Sequence, residues 1–374
     1  MIKPKIAIAS VLKPLHDARS FYRLGLSLRE TNKYHLNIIG FSLKNVPREE
    51  DIDFFTLFGS NRDNPRRLFV SINFISILKK IKPKVLIITT YELLPAAVLM
   101  KFFLKYRLVY DVQENYKLNI KENKTISGWK KWLAISWVGF VQNISKPFID
   151  KYIFAEACYQ EEMPTIKNFV VLENKFFGKI KKIQTVKFAA DKPLTFLISG
   201  TLTEVYGTID AILWFGELVK YNPNYKLNII GHVTIDDYGK KIEEIASKIP
   251  QIRLEISPSP IDYKKILRSY DDCDIVLLPY HQLPSIHPKI PSKLYESLAM
   301  GKPFVFSSNM NWEMIAKRYG AGQSVNFFEL EYAKMEIEKI LKQEFYSHGM
   351  DKFPYWKSKE EEKLQELLNY LSKN

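Results

Sequence analysis

Cysteine is almost missing from this chain: two among 374 residues, Cys158 and Cys273, far apart and outside any Cys-x-x-Cys pair. That excludes a disulfide framework or a cysteine-rich zinc module and suits a reducing compartment. Long apolar runs are missing too. The longest, such as Trp132 to Val141, stop near ten residues, where a bilayer span needs roughly 18–20. The start has no signal-peptide form, because Ile6 to Leu12 is short and runs into Lys13 and Pro14. There is no G-x-x-x-x-G-K-[ST] loop and no G-x-S-x-G elbow, which argues against a nucleotide triphosphatase or an α/β-hydrolase. His35, His232, His281, His287 and His348 lack the H-x-x-x-H and H-E-x-x-H spacings, so no metal site is expected.

What is present is ordinary for a globular protein. Apolar residues make up 46%, charged residues 26% and aromatics 14%, which excludes wholesale disorder and fibrous architecture. The length fits two or three domains at about 150 residues each. A cytoplasmic, enzyme-sized chain is expected. Its charge is lopsided: of a net +14, Met1 to Ala190 holds +16 and Asp191 to Asn374 holds −2. A basic half joined to a near-neutral half points to one domain meeting an anionic surface. Asn61 to Tyr110 alone carries +8, with Arg62, Arg66, Arg67, Lys79, Lys80, Lys82 and Lys84.

Short apolar, β-branched runs alternate with amphipathic stretches. Strands are predicted at Lys5 to Ser10, Leu36 to Phe41, Val85 to Thr90, Leu108 to Val112, Tyr152 to Ala155 and Phe169 to Leu172. Further strands are predicted at Thr195 to Ser199, Leu227 to Ile230, Ile252 to Ile256, Ile275 to Leu278, Phe304 to Ser307 and Ser324 to Phe327. Most are continuous hydrophobic runs, as strands buried on both faces are. Helical patterns between them imply an α/β protein with parallel sheets covered by helices. Twelve strands are more than one sheet usually holds. The division predicted is a first domain over 1–175, a linker over 176–193, a second domain over 194–350 and an amphipathic C-terminal helix within 351–374. Two such domains facing each other would make a cleft, with ligands beyond the carboxyl ends of the strands.

The most informative stretch is Pro291-Ser292-Lys293-Leu294-Tyr295-Glu296-Ser297-Leu298-Ala299-Met300-Gly301-Lys302-Pro303. Ser292 is expected to cap a helix that Gly301 stops. Lys293 in the first turn opposes the helix dipole, a conflict that a bound pyrophosphate removes. Glu296, three residues on, is placed to accept the hydroxyls of an attached ribose. The competing reading is an ordinary Lys293–Glu296 pair on a solvated helix.

This run resembles the donor-site helix of GT-B glycosyltransferases of the group 1 (family 4) kind, in particular those of surface-polysaccharide biosynthesis. Ser199-Gly200-Thr201-Leu202 with Tyr206-Gly207 resembles the family's Gly-x-Leu…Lys-Gly element. Asp17-Ala18-Arg19 with Ser27-Leu28 resembles its Asp-x-Arg…Ser-Leu element, and Tyr110-Asp111-Val112-Gln113-Glu114 its Tyr-Asp-x-His-Glu element. The resemblance implies two Rossmann-like domains and transfer from a UDP-, GDP- or dTDP-sugar. It also implies chemistry without a metal ion or other cofactor, with retention favoured over inversion, and closure of the domains around the substrates.

There are departures. Many relatives carry two glutamates eight positions apart; Glu296 stands where the second would be, but Pro288 stands at the first. Thr201 and Tyr206 replace the usual basic phosphate-binding pair, and Gln113 replaces a histidine. Lys293 is left as the main charge for the pyrophosphate, assisted by Tyr280 and by amides after Gly200, with Ser292 and His232 as further donor contacts. A catalytically degenerate binding or scaffold subunit is the alternative these departures motivate.

On the acceptor side, Asp111 and Glu114 are candidates to orient an acceptor hydroxyl or accept its proton. For Asp111 the competing role is a turn or cap after its strand. His16, Asp17 and Arg19 follow the first strand, with Asp17 equally suited to capping a helix, and Glu92 follows the strand ending at Thr90. Asp272-Cys273-Asp274 looks like an Asp-x-Asp metal motif but begins a strand, the wrong end for chemistry, and reads as structural. From Ser127 to Lys151, Trp129, Trp132, Trp137 and Phe140 interleave with Lys130, Lys131 and Lys146. That pattern suits either an interfacial helix on anionic headgroups or a helix packing into the core. A lipid-linked saccharide acceptor and a peripheral position on the inner face of the cytoplasmic membrane are expected, and no nucleic acid.

Overall fold

In a computed structural model of the chain, residues 3–42, 49–58, 70–123, 127–189 and 192–373 are described; Arg62, Arg66 and Arg67 of the basic segment fall outside them. The chain divides into two units, Met1–Phe177 with Trp356–Asn374, and Gly178–Tyr355.

The first unit contains β1 (Lys5–Pro14), β2 (His35–Phe41), β3 (Ile52–Thr56), β4 (Val85–Ile88), β5 (Arg107–Val112), β6 (Lys151–Phe154) and β7 (Phe169–Val171). Its helices are α1 (Leu26–Glu30), α2 (Val70–Ile81), α3 (Leu94–Leu104), α4 (Tyr116–Glu122), α5 (Gly128–Ser145) and α6 (Tyr159–Glu162). A π-helical stretch, Ala18–Gly25, leads into α1. The strands form one sheet in the order β3-β2-β1-β4-β5-β6-β7. Every neighbouring pair is parallel. Both faces are covered: Ile6, Ile8, Val85 and Ile87 enter one core, while Ala7, Ala9, Leu86 and Ile88 enter the other. Successive side chains point to opposite faces, so two cores demand an unbroken apolar run rather than an alternation.

The second unit contains β8 (Val186–Lys187), β9 (Thr195–Leu202), β10 (Lys226–Val233), β11 (Ile252–Ser257), β12 (Ile275–Leu278), β13 (Phe304–Ser307), β14 (Gly322–Val325) and β15 (Glu344–Phe345). Its helices are α7 (Thr208–Tyr221), α8 (Asp236–Ala246), α9 (Tyr263–Asp271), α10 (Ser292–Met300), α11 (Met310–Tyr319) and α12 (Ala333–Leu341). Six strands form a parallel sheet ordered β11-β10-β9-β12-β13-β14. The last helix, α13 (Trp356–Lys373), belongs to the first unit. Its Trp356, Leu364, Leu368 and Leu371 pack with Phe21, Leu24 and Leu28, and the Trp356 indole donates to Ser27 Oγ at 2.9 Å.

Three features differ from the sequence expectation. Edge strand β3 has no counterpart there, because it is five residues long and mostly half-buried. The segment expected as a linker over 176–193 lies largely in the second unit, where β8 pairs antiparallel with β15. The strand expected over Ser324 to Phe327 begins two residues earlier, at Gly322.

Candidate functional site

In the second unit the strand order reverses at β9, which has β10 on one side and β12 on the other. Such a reversal opens a crevice at the carboxyl ends of the two strands, and the loops leaving β9 and β12 are bound together there. The His281 amide donates to Val205 O at 2.9 Å. A Cβ on Gly207 would sit 1.8 Å from Pro279 O, so only glycine fits that approach. The Tyr206 and Tyr280 rings lie 4.7 Å apart, and His281 Nε2 meets Asp210 Oδ2 at 2.7 Å. Asn309 caps α11 with its Oδ1 and donates from Nδ2 to Gln282 Oε1 and His287 O. This holds the chain between β12 and α10 in place.

The amino end of α10 completes the arrangement. Lys293 Nζ lies 5.6 Å from the Tyr206 ring centroid and 5.8 Å from that of Tyr280. Gly200, at φ +92°, faces it so closely that a Cβ would come within 2.8 Å of Lys293 Cε and 3.0 Å of Nζ. Among the described residues Lys293 has no carboxylate partner. Ser292 does not cap the helix, contrary to its expected role: the N-cap is Pro291, no side chain caps the first turn, and Ser292 is the first helical residue. The Leu294 amide donates to Pro291 O, and the Ser292 and Lys293 amides face the place an anion would take, with a cation beside them.

Glu296 is not half of a solvated pair. It is 3% exposed and takes a hydrogen bond on each oxygen, from Tyr263 Oη at 2.9 Å and from Tyr270 Oη at 3.1 Å. Burial first, and the neighbouring Glu296 charge second, push the Tyr270 phenol well up. The same two causes raise Tyr280. Both therefore remain neutral donors across the physiological range. A carboxylate oxygen can accept more than one hydrogen bond. Tyr263 and Tyr270 escaped the sequence reading. Their one signal was a spacing of seven on α9, which puts them on one helix face two turns apart. Thr201 and His232 stand opposite each other in the β9–β10 register, at the same end of the sheet as Gly200. Asp274 binds the Thr195 amide and Lys192 at the opposite, amino end. Burial pushes the adjacent Cys273 thiol up to about 12, so this triplet is structural.

In the first unit the acceptor-side candidates separate. Arg19 and Asp111, expected at the acceptor and in catalysis, instead form a buried bidentate ion pair, 3% and 0% exposed. Arg19 Nε and Nη2 donate to the two Asp111 oxygens at 2.8 and 2.6 Å, and Nη1 donates to Leu172 O and Asn174 Oδ1. Burial alone would lower the proton affinity of Arg19, but Asp111 holds it above the ordinary value. A carboxylate so enclosed has no path to an acceptor hydroxyl. Asp17 accepts from the Arg19 and Ser20 amides at 2.9 Å and is a helix cap. The His16 ring packs edge-on against Phe21 and Phe54. Glu92 sits in the turn Tyr91–Leu93 after β4. Glu114, part-buried, accepts from Asn119 Nδ2 at 3.1 Å, which leaves it as the more accessible carboxylate beyond β5. Among the described residues no group of three or more His, Cys, Asp or Glu side chains is arranged to hold a metal ion.

Residues 179–353 match the family model described as Glycosyl transferases group 1. No curated protein matches the sequence. Solved structures do match. Sucrose-phosphate synthase from Thermosynechococcus elongatus superposes with a TM-score of 0.63 at 12% identity, over 99% of this chain and 96% of that one. A glycosyltransferase from Rickettsia africae gives 0.57 at 14% identity over 99% and 93%. Anabaena HepE in complex with UDP-glucose gives 0.57 at 12% over 91% of each chain. At these identities the likeness is one of fold, and that fold is GT-B: two Rossmann-like units, each built on a parallel sheet.

Proposed function

We propose, from the match of residues 179–353 to the group 1 glycosyl transferase model, that this enzyme moves a sugar from a nucleotide-sugar to a lipid-linked saccharide in bacterial surface-glycan assembly. One observation carries the donor half of the reading. An ammonium is held over Gly200, beside two neighbouring tyrosine rings and uncapped helix amides, with no carboxylate among the described residues to balance it. A diphosphate supplies the missing counter-charge. Lys293 and the Ser292 and Lys293 amides bind it, and Glu296, steadied by Tyr263 and Tyr270, accepts from the ribose hydroxyls.

As the bond from sugar to diphosphate breaks, negative charge grows on the leaving oxygens. A fixed ammonium and fixed amides then interact more strongly with the transition state than with the bound donor. In this scheme Lys293, rather than a metal ion, balances the leaving group. Glu114 is the carboxylate assigned to the acceptor hydroxyl, with His16 and Glu92 as acceptor contacts; Asp111 and Arg19 take no part in the chemistry. The +16 on Met1 to Ala190 supports an acceptor presented at an anionic membrane surface.

Calorimetry with UDP, GDP and dTDP on the full chain tests the donor reading. One nucleotide should bind between the micromolar and low millimolar range, and binding should vanish in Glu296→Ala. A screen for slow nucleotide-sugar hydrolysis needs no acceptor and identifies the sugar. Absence of binding by all three nucleotides overturns the proposal. Nucleotide binding with no turnover of any sugar donor marks the degenerate-subunit alternative, which the missing first glutamate at Pro288 favours.

A further inference from the structure

Helix α5 carries apolar residues on its buried side and a second apolar stripe turned outward. Trp129, Trp132, Leu133, Trp137, Phe140 and Ile144 follow one another at spacings that place them on a single stripe. All six are between 47% and 68% exposed, whereas the helix buries only Val138, Val141 and Ser145. Helix α3 lies against α5 and adds Leu99, Phe102 and Phe103, exposed by 51–71%. The reading that packed these tryptophans into the core is overturned. So many large exposed apolar side chains on two neighbouring helices mark a surface that something else covers.

The charges around the face select what covers it. Between Lys101 and Lys146 the sequence has nine Lys or Arg against three Asp or Glu; Lys101 and Arg107 pair with Asp150, and Lys130 Nζ lies 5.8 Å from the Trp129 ring. A second copy of this chain would bring the same positive field against itself in a two-fold contact. An anionic bilayer supplies the opposite charge, an interfacial layer in which indole rings settle, and acyl chains for the phenylalanines. Among the described residues no helix is long and apolar enough to cross a membrane. At 1.5 Å per residue α5 is about 27 Å long, which suits a helix lying flat in the headgroup layer.

We propose that α3 and α5 form a bilayer-docking face. Its tryptophans and phenylalanines enter the headgroup region of an anionic membrane, and the surrounding lysines meet the lipid phosphates. The face draws on no donor residue, so it holds or fails separately from the transferase reading.

The test uses the full chain and vesicles of phosphatidylcholine with or without phosphatidylglycerol, at low and high salt, followed by co-sedimentation and tryptophan emission. Binding and a blue shift are expected only with phosphatidylglycerol, weakening as salt rises. The pairs Trp132→Ser/Trp137→Ser and Lys130→Glu/Lys131→Glu should each lower the partition about tenfold or more. Melting temperature and UDP, GDP or dTDP affinity should stay unchanged, because Trp132, Trp137 and Lys130 face solvent and Lys131 gives up one surface hydrogen bond, to Lys121 O. The proposal is overturned if anionic vesicles do not bind at low salt, or if both paired variants bind as wild type does. It is equally overturned if light scattering finds a dimer that Trp132→Ser/Trp137→Ser separates, since a second copy would then be the cover.

Discussion

Replacing Lys293 with methionine separates a binding role from a structural one, because the two predict opposite pairs of results. In the free protein the ammonium sits in the first helical turn without a counter-charge among the described residues. Removing it relieves a dipole conflict of about 0.3–1 kcal/mol and forfeits contacts with the Tyr206 and Tyr280 rings of about 0.5–1 kcal/mol. The two nearly cancel. For a unit of this size, 1 kcal/mol moves the melting point by about 2–4 °C, so the melting temperature should shift by no more than that in either direction. The bound state is different. A charge-assisted hydrogen bond to a phosphate is worth about 1.5–3 kcal/mol, so nucleoside diphosphate affinity should fall about 10- to 150-fold. Differential scanning fluorimetry gives the first quantity and calorimetry the second. A melting point that drops several-fold further than this, with nucleotide affinity intact, would show that Lys293 is a packing residue and refute the reasoning.

Three other outcomes are expected. Arg19→Met or Asp111→Asn leaves one partner of a buried ion pair unmatched and should cost about 3–5 kcal/mol in urea unfolding; loss of turnover at wild-type stability would instead restore these residues to the chemistry. Tyr270→Phe removes a hydrogen bond to the buried Glu296 carboxylate, lowering the melting point of the second unit by about 3–12 °C, and an unchanged melting point would mean that Glu296 does not need it. Burial raises the Tyr152 phenol to about 12 and also lifts Tyr270, Tyr280 and Tyr346. A group raised on folding contributes stability that is complete below its unfolded value, about 10 for tyrosine, and is lost as pH climbs through the folded value. Urea midpoints should therefore decline from about pH 10 upward, in step with tyrosinate absorbance, and a midpoint still flat where the unfolded phenols ionise would contradict the assignment.

Elements whose signal is local could be read without coordinates. Strands buried on two faces are continuous apolar runs, so β1, β2, β4, β5, β9, β10, β12 and β13 were legible, and so was the helix that ends at Gly301, where the backbone takes a positive φ of 65°. Lys293 and Glu296 could be singled out as candidates in the same way, because a motif is a statement about neighbours in sequence. The tertiary structure decided whatever depends on partners far along the chain. Nothing near Asp111 marks it for Arg19, 92 residues away, and nothing near Glu296 marks it for two phenols 26 and 33 residues earlier. The tryptophan helix shows the division most plainly. Periodicity fixes which side chains share a stripe, but whether that stripe faces a core or the solvent depends on how much apolar surface the rest of the unit already covers, and only the folded chain settles that.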